Sequence, residues 1–338
     1  MRAVAIAADR RLQAVRMDRP VPGPGEVLVD VRYCGICGSD LHLPELPAEY
    51  FPAGHVLGHE FTGVIAELGP EAGAWQAGER VAVFPMVACR ACAPCRGGHP
   101  NLCDHGIDAG PGIGRQGGYA ESVAVPAGML RRLPDSVSDA DGALIEPLAV
   151  AIRAIRRTEV TPSEPVCVLG AGPIGALTVA GLHALGFGRV AVVEPAAGRR
   201  AAAERLGVAA VPPEQAIDRI PALLGGEPPA AVIDCTGHPA GAPLAIELLP
   251  AGGRLTIAGL PGEPATVQLD LLAVKELVVR GSLVYTEEDF TEALGHIAAG
   301  RIPCDQIITT IAPLDQAPRW FADLSSGATE QVKVLLRP

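Results

Sequence analysis

The sequence predicts an α/β protein in two parts, a β-rich unit and a doubly wound parallel sheet. Three observations predict it. The 338 residues exceed what one hydrophobic core usually supports. The chain up to about residue 70 reads as short strands separated by turns, whereas from about residue 160 strands and helices alternate. A glycine-rich turn between a strand and a helix opens that second region, at Gly170.

In the first part, Pro20-Val-Pro-Gly-Pro-Gly25 is a turn-rich lead into Glu26 to Arg32, whose alternation suits a half-buried strand. Phe61 to Glu67 and Glu79 to Phe84 continue the pattern, so a partly open barrel or sandwich is expected. Just past the first of these strands lies Cys34-Gly-Ile-Cys37-Gly-Ser39-Asp40-Leu-His42. It packs a soft sulfur ligand, a hydroxyl that can pass a proton and an imidazole that can release it near neutral pH into six residues. Read as a redox pair, Cys34 and Cys37 should open an amphipathic helix, and the sequence shows none there. Gly58-His59-Glu60 and Glu146 supply the remaining ligands of a catalytic zinc with one position open. Adjacent strand residues point to opposite faces, so His59 and Glu60 reach one metal only through an irregular backbone at Gly58; otherwise His59 ligates and Glu60 supports it. His55 reads as a partly exposed loop histidine.

Cys89, Cys92, Cys95 and Cys103 follow in a Pro/Gly-rich stretch. Four thiolates close a tetrahedral shell and leave no room for substrate, so a structural zinc is expected in a lobe over about residues 86–105. Arg115 to Val125 returns to a strand pattern. Ala140 to Ile155 reads as the first long helix, with Pro147 bending it or starting a new one. Glu146 lies in this apolar run, where a carboxylate is costly unless a cation meets it; the alternative is an exposed or capping glutamate.

The second part opens with Val166-Cys-Val-Leu-Gly170-Ala-Gly172-Pro173-Ile174-Gly175. Gly170 makes the turn, Gly172 admits a pyrophosphate to the backbone, and Gly175 lets helix 176–185 pack closely. The next strand, Arg189 to Val193, ends in Glu194, an acid placed to hold ribose hydroxyls and to repel a 2′-phosphate, which favours NAD over NADP; Arg199 and Arg200 pull the other way. Strand-containing stretches over 231–237, 253–259 and 277–284 and helices over 239–249 and 289–299 complete the alternation, and Gln331 to Leu336 ends the chain as a strand expected to pack back on the first part. Thr236 lies near the end of the first of these stretches and is expected to be a cofactor-binding position. Cys167, Cys235 and Cys304 read as small buried residues.

Composition excludes other classes. A net charge of −11 and a pI near 5.2 repel nucleic acid and anionic membranes. No apolar run spans a bilayer or makes a signal peptide, so a cytoplasmic protein is expected. Hydrophobic residues at 49% and charged ones at 19% suit a compact enzyme rather than a disordered chain.

With these residues in hand, the chain resembles the zinc-dependent medium-chain dehydrogenases/reductases over nearly its whole length, nearest the sorbitol and threonine dehydrogenase branch. The resemblance implies a GroES-like catalytic domain from residues 1–149 and 285–338 around a Rossmann domain of 150–284, assembled as a dimer or tetramer. It implies Cys37, His59 and Glu60 or Glu146 as catalytic zinc ligands, with Ser39 and His42 as proton relay. It also implies that Glu194 and Arg199 contact the adenosine ribose, and that the backbone around Ala258 to Leu260 and Leu283, Val284 and Tyr285 contacts the nicotinamide. Sorbitol dehydrogenases tend to carry a tyrosine and an arginine where this chain has Leu43 and Val284, so its pocket is expected to be less polar than a linear polyol wants. The expected activity is NAD-dependent oxidation of a secondary alcohol such as a polyol, cyclitol or amino alcohol. The rivals are a reductase of a ketone or aldehyde intermediate using NAD(P)H, and a non-catalytic dinucleotide-binding sensor.

Overall fold

Apolar alternation sets the first strands, and the computed structural model, which describes residues 1–42, 46–327 and 329–338, shows how they pair. β1 (Arg2–Ile6) and β2 (Leu12–Arg16) form an antiparallel hairpin. β3 (Glu26–Gly35) is the axis of a larger sheet. After it come the one-turn helix α1 (Gly38–His42), β4 (Glu60–Leu68) and β5 (Arg80–Val83). β4 runs antiparallel along β3 with register shifts at Leu28/Val29 and Val31/Tyr33, bulges that bend both strands. The one-turn α1 is too short to be the amphipathic helix of a redox pair: Asp40, in its middle, is fully buried and draws the turn inward.

The cysteine lobe, with α2 (Ala93–Arg96), is inserted after β5, and the chain returns through β6 (Ser122–Pro126), on β3, and β7 (Leu130–Arg132), on β5. Only the end of the predicted strand over Arg115 to Val125 is regular. Its first half instead bonds across to the loop before β4, with Gly117, Gly118 and Tyr119 donating to the carbonyls of Val56, Gly58 and Leu57. Glycine is needed there, because a Cβ on Gly112 or Gly117 would collide with Gly58.

The predicted long helix is two: α3 (Asp139–Gly142) and α4 (Ile145–Thr158). Pro147 lies in the first turn of α4, where an amide has no intrahelical acceptor, so it starts the helix rather than bending it. The six strands β8 (Val166–Leu169), β9 (Val190–Val193), β10 (Ala209–Val211), β11 (Ala231–Asp234), β12 (Arg254–Ile257) and β13 (Val278–Gly281) make one parallel sheet in the order β10-β9-β8-β11-β12-β13. Helices α5 (Pro173–Ala184), α6 (Ala197–Arg205), α7 (Ala216–Leu223), α8 (Gly241–Leu248) and α9 (Leu269–Val274) connect them. β8, β9 and β11 are buried along their whole length, as a sheet covered on both faces requires. One face joins α4 and α5 in a core with Leu148, Ile152, Val168 and Leu177; the other packs Cys167, Leu169 and Val232 against Ile220 and Ala245.

After α10 (Glu287–Ala298) and α11 (Cys304–Ile307), β14 (Ile308–Pro313), α12 (Ala317–Ser325) and β15 (Lys333–Arg337) close the chain. β15 pairs in parallel with β14 and antiparallel with the Cys34–Gly35 end of β3, so the tail completes the sheet of β3. Among the described residues no helix is long and apolar enough to cross a membrane.

Candidate metal centre and dinucleotide cleft

The sulfurs of Cys89, Cys92, Cys95 and Cys103 all lie within 4.8 Å of one another. Zinc–sulfur bonds of about 2.3 Å in a tetrahedron put sulfurs about 3.8 Å apart, and Cys92 Sγ and Cys103 Sγ are 3.8 Å apart. Backbone amides of Cys89 and His105 point at Cys103 Sγ, and those of Ala91 and Cys92 at Cys89 Sγ, at 3.2–3.4 Å. Desolvation, followed by the neighbouring Cys92 and Cys103 sulfurs, pushes the Cys95 thiol up to about 12. Four thiolates at this spacing need a cation, so the residues fit a structural zinc. None of the four joins a hydrophobic cluster, so the lobe has no apolar core of its own.

A second group, Cys37, His59 and Glu60, also has its ligand atoms within 4.8 Å. Cys37 lies immediately before α1, while His59 and Glu60 stand at the entry to β4. Gly58, at φ +96°, makes the irregular turn that lets the two neighbours face one place; a Cβ there would strike Tyr119 and Cys34. Ser39 Oγ donates to Cys37 Sγ at 3.2 Å, and His42 is exposed one turn further along α1. Cys34 is fully buried, is not in the group, and has its thiol raised well above the ordinary range by burial. His55 is buried edge-on to Phe51 rather than partly exposed, and it too is outside the group.

Asp40, unassigned in the sequence reading, holds this cluster. Its Oδ1 faces His59 Nδ1 at 3.4 Å, and its Oδ2 accepts from Cys37 N at 3.3 Å and from the Tyr119 hydroxyl at 2.5 Å. With Nδ1 turned to a carboxylate, Nε2 is the nitrogen available to a metal. Burial lowers the pKa of His59, but the charges of Asp40 and Cys37 outweigh it and leave the imidazole well above its ordinary value.

Two carboxylates compete for the third position. Glu60 Oε2 pairs with Lys333 Nζ, which also donates to Ile36 O at 2.9 Å, while Glu60 Oε1 is buried without a hydrogen-bond partner. An orphaned buried carboxylate oxygen is what a missing cation leaves. Desolvation opposes the charge of Lys333, yet Glu60 and Cys37 raise its pKa and keep it cationic. Glu146, on the first turn of α4, is buried rather than exposed, and its Oε1 accepts from the Tyr285 hydroxyl at 2.7 Å. Burial pushes its pKa up to about 7; the charge of His59 opposes the shift and that of Glu60 adds to it, and Glu146 is outside the three-ligand group.

The dinucleotide motif sits at the carboxyl ends of the parallel strands, where the strand order reverses between β8 and β11. Gly170 turns at φ +89°, a Cβ on Gly172 would meet only open space, and one on Gly175 would collide with Gly170 O. Pro173 and Ile174 open α5, so its free amides face the space left at Gly172. Glu194 is buried, with Oε2 accepting from Ala171 N at 2.7 Å and Oε1 from Ala196 N at 2.8 Å. Arg200 Nη1 donates to the carbonyls of Glu194 and Pro195. Arg199 is half-buried beside them. Thr236 and Leu260 are exposed and Ala258 is half-buried, all just past strand ends. Val284 follows β13 at φ +53° and leads into Tyr285, which joins this rim to Glu146. Leu43 lies outside the described residues.

The profile of the alcohol dehydrogenase GroES-like domain matches residues 23–135, and that of zinc-binding dehydrogenases matches 173–299. A curated relative, Probable D-xylulose reductase A of Neosartorya fischeri, is 33% identical over 324 residues, covering 92% of this chain and 90% of its own. Among solved structures, an alcohol dehydrogenase of Escherichia coli CFT073 complexed with NADH superposes with TM-score 0.88 at 29% identity, covering 100% of this chain and 99% of its own. A Sinorhizobium meliloti 1021 protein described as a zinc-binding dehydrogenase, bound to NADP, superposes with TM-score 0.90 at 32% identity and the same coverage. Two thiolate-containing clusters, a glycine turn at the switch point of a parallel sheet, and this similarity along nearly the whole chain have one common reading: the chain belongs to the zinc-dependent medium-chain dehydrogenase/reductase family of oxidoreductases.

Proposed function

We propose that the chain oxidises a secondary alcohol of a polyol, cyclitol or amino alcohol with NAD, at a zinc held by Cys37, His59 and Glu60. The observation that carries this reading is the convergence of those three ligand atoms beside a carboxylate, Glu146, that Tyr285 ties to the cofactor rim. A zinc ion held there supplies Lewis acidity toward an alcohol oxygen, and a bound nicotinamide supplies the hydride acceptor. The chain's own residues do the rest. Asp40 orients His59, Ser39 Oγ takes the released proton, and His42, exposed on the same helix, hands it to solvent. Glu146, its carboxyl held by Tyr285, would accept from a substrate hydroxyl or a water at this zinc. Glu60 is the third ligand in this reading, and Lys333 balances its charge when the metal does not. The same groups serve ketone reduction in reverse, so the direction follows from cofactor ratio.

The glycine turn and Glu194 take the dinucleotide, with Arg199, Thr236, Ala258, Leu260 and Val284 along its path. Glu194 favours NAD, because a 2′-phosphate brought against its buried carboxylate meets like charge. Rates of NAD⁺ and NADP⁺ reduction across polyols, cyclitols, amino alcohols and simple secondary alcohols test both statements. One alcohol class should turn over, with kcat/KM for NAD⁺ about a hundredfold above that for NADP⁺. Equal use of the two cofactors would remove the role given to Glu194, and silence across the panel with both zincs bound would remove the substrate class.

We assign residues 1–149 with 285–338 to the catalytic unit and 150–284 to the cofactor unit, supported by the return of β14 and β15 to the sheet of β3. Nine free cysteines, six of them in metal-like sequence clusters, favour a reducing cytoplasm. β13 is one edge of the parallel sheet, with Val278 and Val279 40% and 42% exposed and Val274 79% exposed close by. An unpaired apolar edge is a template for a second copy, which supports a homodimer or a homotetramer. Light scattering should read two or four copies at micromolar concentration, and a monomer there would exclude the assembly.

A further inference from the structure

Leu283 to Thr286 is held at three points, at two of them by residues distant in sequence and at the third by the cap of the following helix. Leu283 O accepts from Asn101 Nδ2 at 3.0 Å. Asn101 belongs to the cysteine lobe, two residues before Cys103, and is buried. The Tyr285 hydroxyl donates to Glu146 Oε1 at 2.7 Å, and Thr286 N donates to Asp289 Oδ2 at 2.8 Å. Between these grips Val284 has φ +53°. A β-branched residue keeps that left-handed conformation only where its surroundings enforce it.

Arg153 ties the grips together. Its Nη2 donates to Asn101 Oδ1 at 3.5 Å, and its Nη1 lies 3.9 Å from Asp289 Oδ2. Arg153 stands on α4 two turns after Glu146, so both share a helix face. The Asn101 amide is therefore used on both sides: its oxygen takes Arg153 and its nitrogen serves Leu283. Only a side chain with donor and acceptor together can do this.

We infer that Asn101 is a positioning residue: by holding Leu283 O it keeps Val284 in its left-handed turn and the Tyr285 hydroxyl on Glu146, and so couples the four-cysteine lobe to the reacting centre. The inference rests on reading the Cys37–His59–Glu60 cluster as that centre. It gives the lobe a part in catalysis besides stability, through one hydrogen bond that crosses from the lobe to the cofactor rim.

Asn101→Asp tests it, because aspartate keeps the size and the acceptor for Arg153 but cannot donate to Leu283 O. Expected for the zinc-loaded variant are two zincs per chain, amide exchange over 283–286 faster by about tenfold, and kcat lower by about 10- to 100-fold. In a Tyr285→Phe background the same substitution should cost less than about threefold, since the route is already cut. Wild-type exchange over 283–286 overturns the grip. Faster exchange with unchanged kcat, a fall in kcat that follows loss of zinc, or full additivity with Tyr285→Phe each overturns the positioning role. If Asn101→Asp does not fold, Val284→Gly loosens the same turn with Asn101 in place, and unchanged exchange and kcat there overturn the inference. A wild-type chain silent toward every alcohol, whose variant still exchanges faster at 283–286, refutes the catalytic reading and leaves the grip standing.

Discussion

Cys37→Ala is expected to lower turnover at least about a thousandfold and to reduce zinc from two per chain to one. Cys37 is the only sulfur in the three-ligand group. Its loss leaves His59 and Glu60, and Glu60 then has Lys333 as its remaining partner. Two ligands, one of them already paired to a lysine, hold zinc poorly. Fold and cofactor binding should survive, because Cys37 is only half-buried and belongs to no core cluster. Metal analysis and initial rates on the same preparation check it. Retention of more than about a tenth of the rate with one zinc bound would move the chemistry away from this cluster.

Cys89→Ser is expected to act on stability first. The lobe contains no apolar cluster, and a closed four-thiolate site can contribute about 10–16 kcal/mol of apparent binding free energy to its own folding. That equals or exceeds the roughly 5–15 kcal/mol that usually holds a whole domain, so the lobe should unravel without metal. Expected are one zinc per chain, a soluble yield reduced several-fold, a lower melting temperature and weaker assembly. Because Asn101 leaves with the lobe, turnover of the surviving fraction should fall as well. A variant with one zinc, wild-type melting and wild-type light scattering would show that the lobe is not held by metal.

Much of the fold was legible because its signals are local. A strand, a glycine turn and a helix within Val166 to Ala184 need only short-range geometry: Gly170 is required by its φ of +89°, and Gly175 by the Gly170 carbonyl inside that span. The spacing of Cys89, Cys92, Cys95 and Cys103 likewise folds four sulfurs together over a few turns of chain. Boundaries were less legible. Arg115 to Glu121 has strand composition, yet the amides of Gly117, Gly118 and Tyr119 serve the Gly58 loop, a partner that periodicity does not reveal. The two readings of Pro147 were equivalent until the gap between α3 and α4 was seen.

The two-part architecture, the glycine turn with its following acid, the four-cysteine lobe, and the short run that carries Cys37, Ser39 and His42 are all readable along the chain. Each is set by neighbours along the chain, where spacing and residue type already limit the geometry. Which groups surround them follows from long-range packing. Lys333 meets Glu60 across 273 residues, Asn101 meets Leu283 across 182, Glu146 meets Tyr285 across 139, and Asp40 meets Tyr119 across 79. In Gln331-Val-Lys-Val-Leu-Leu336 the lysine looks like the polar member of an edge strand. It is buried because β15 pairs with the Cys34–Gly35 end of β3, where Gly35 has no side chain to fill the space that Lys333 and Glu60 share. Such pairs depend on which strands lie together and in what register. Register is settled by the whole core at once, so no local pattern carries it.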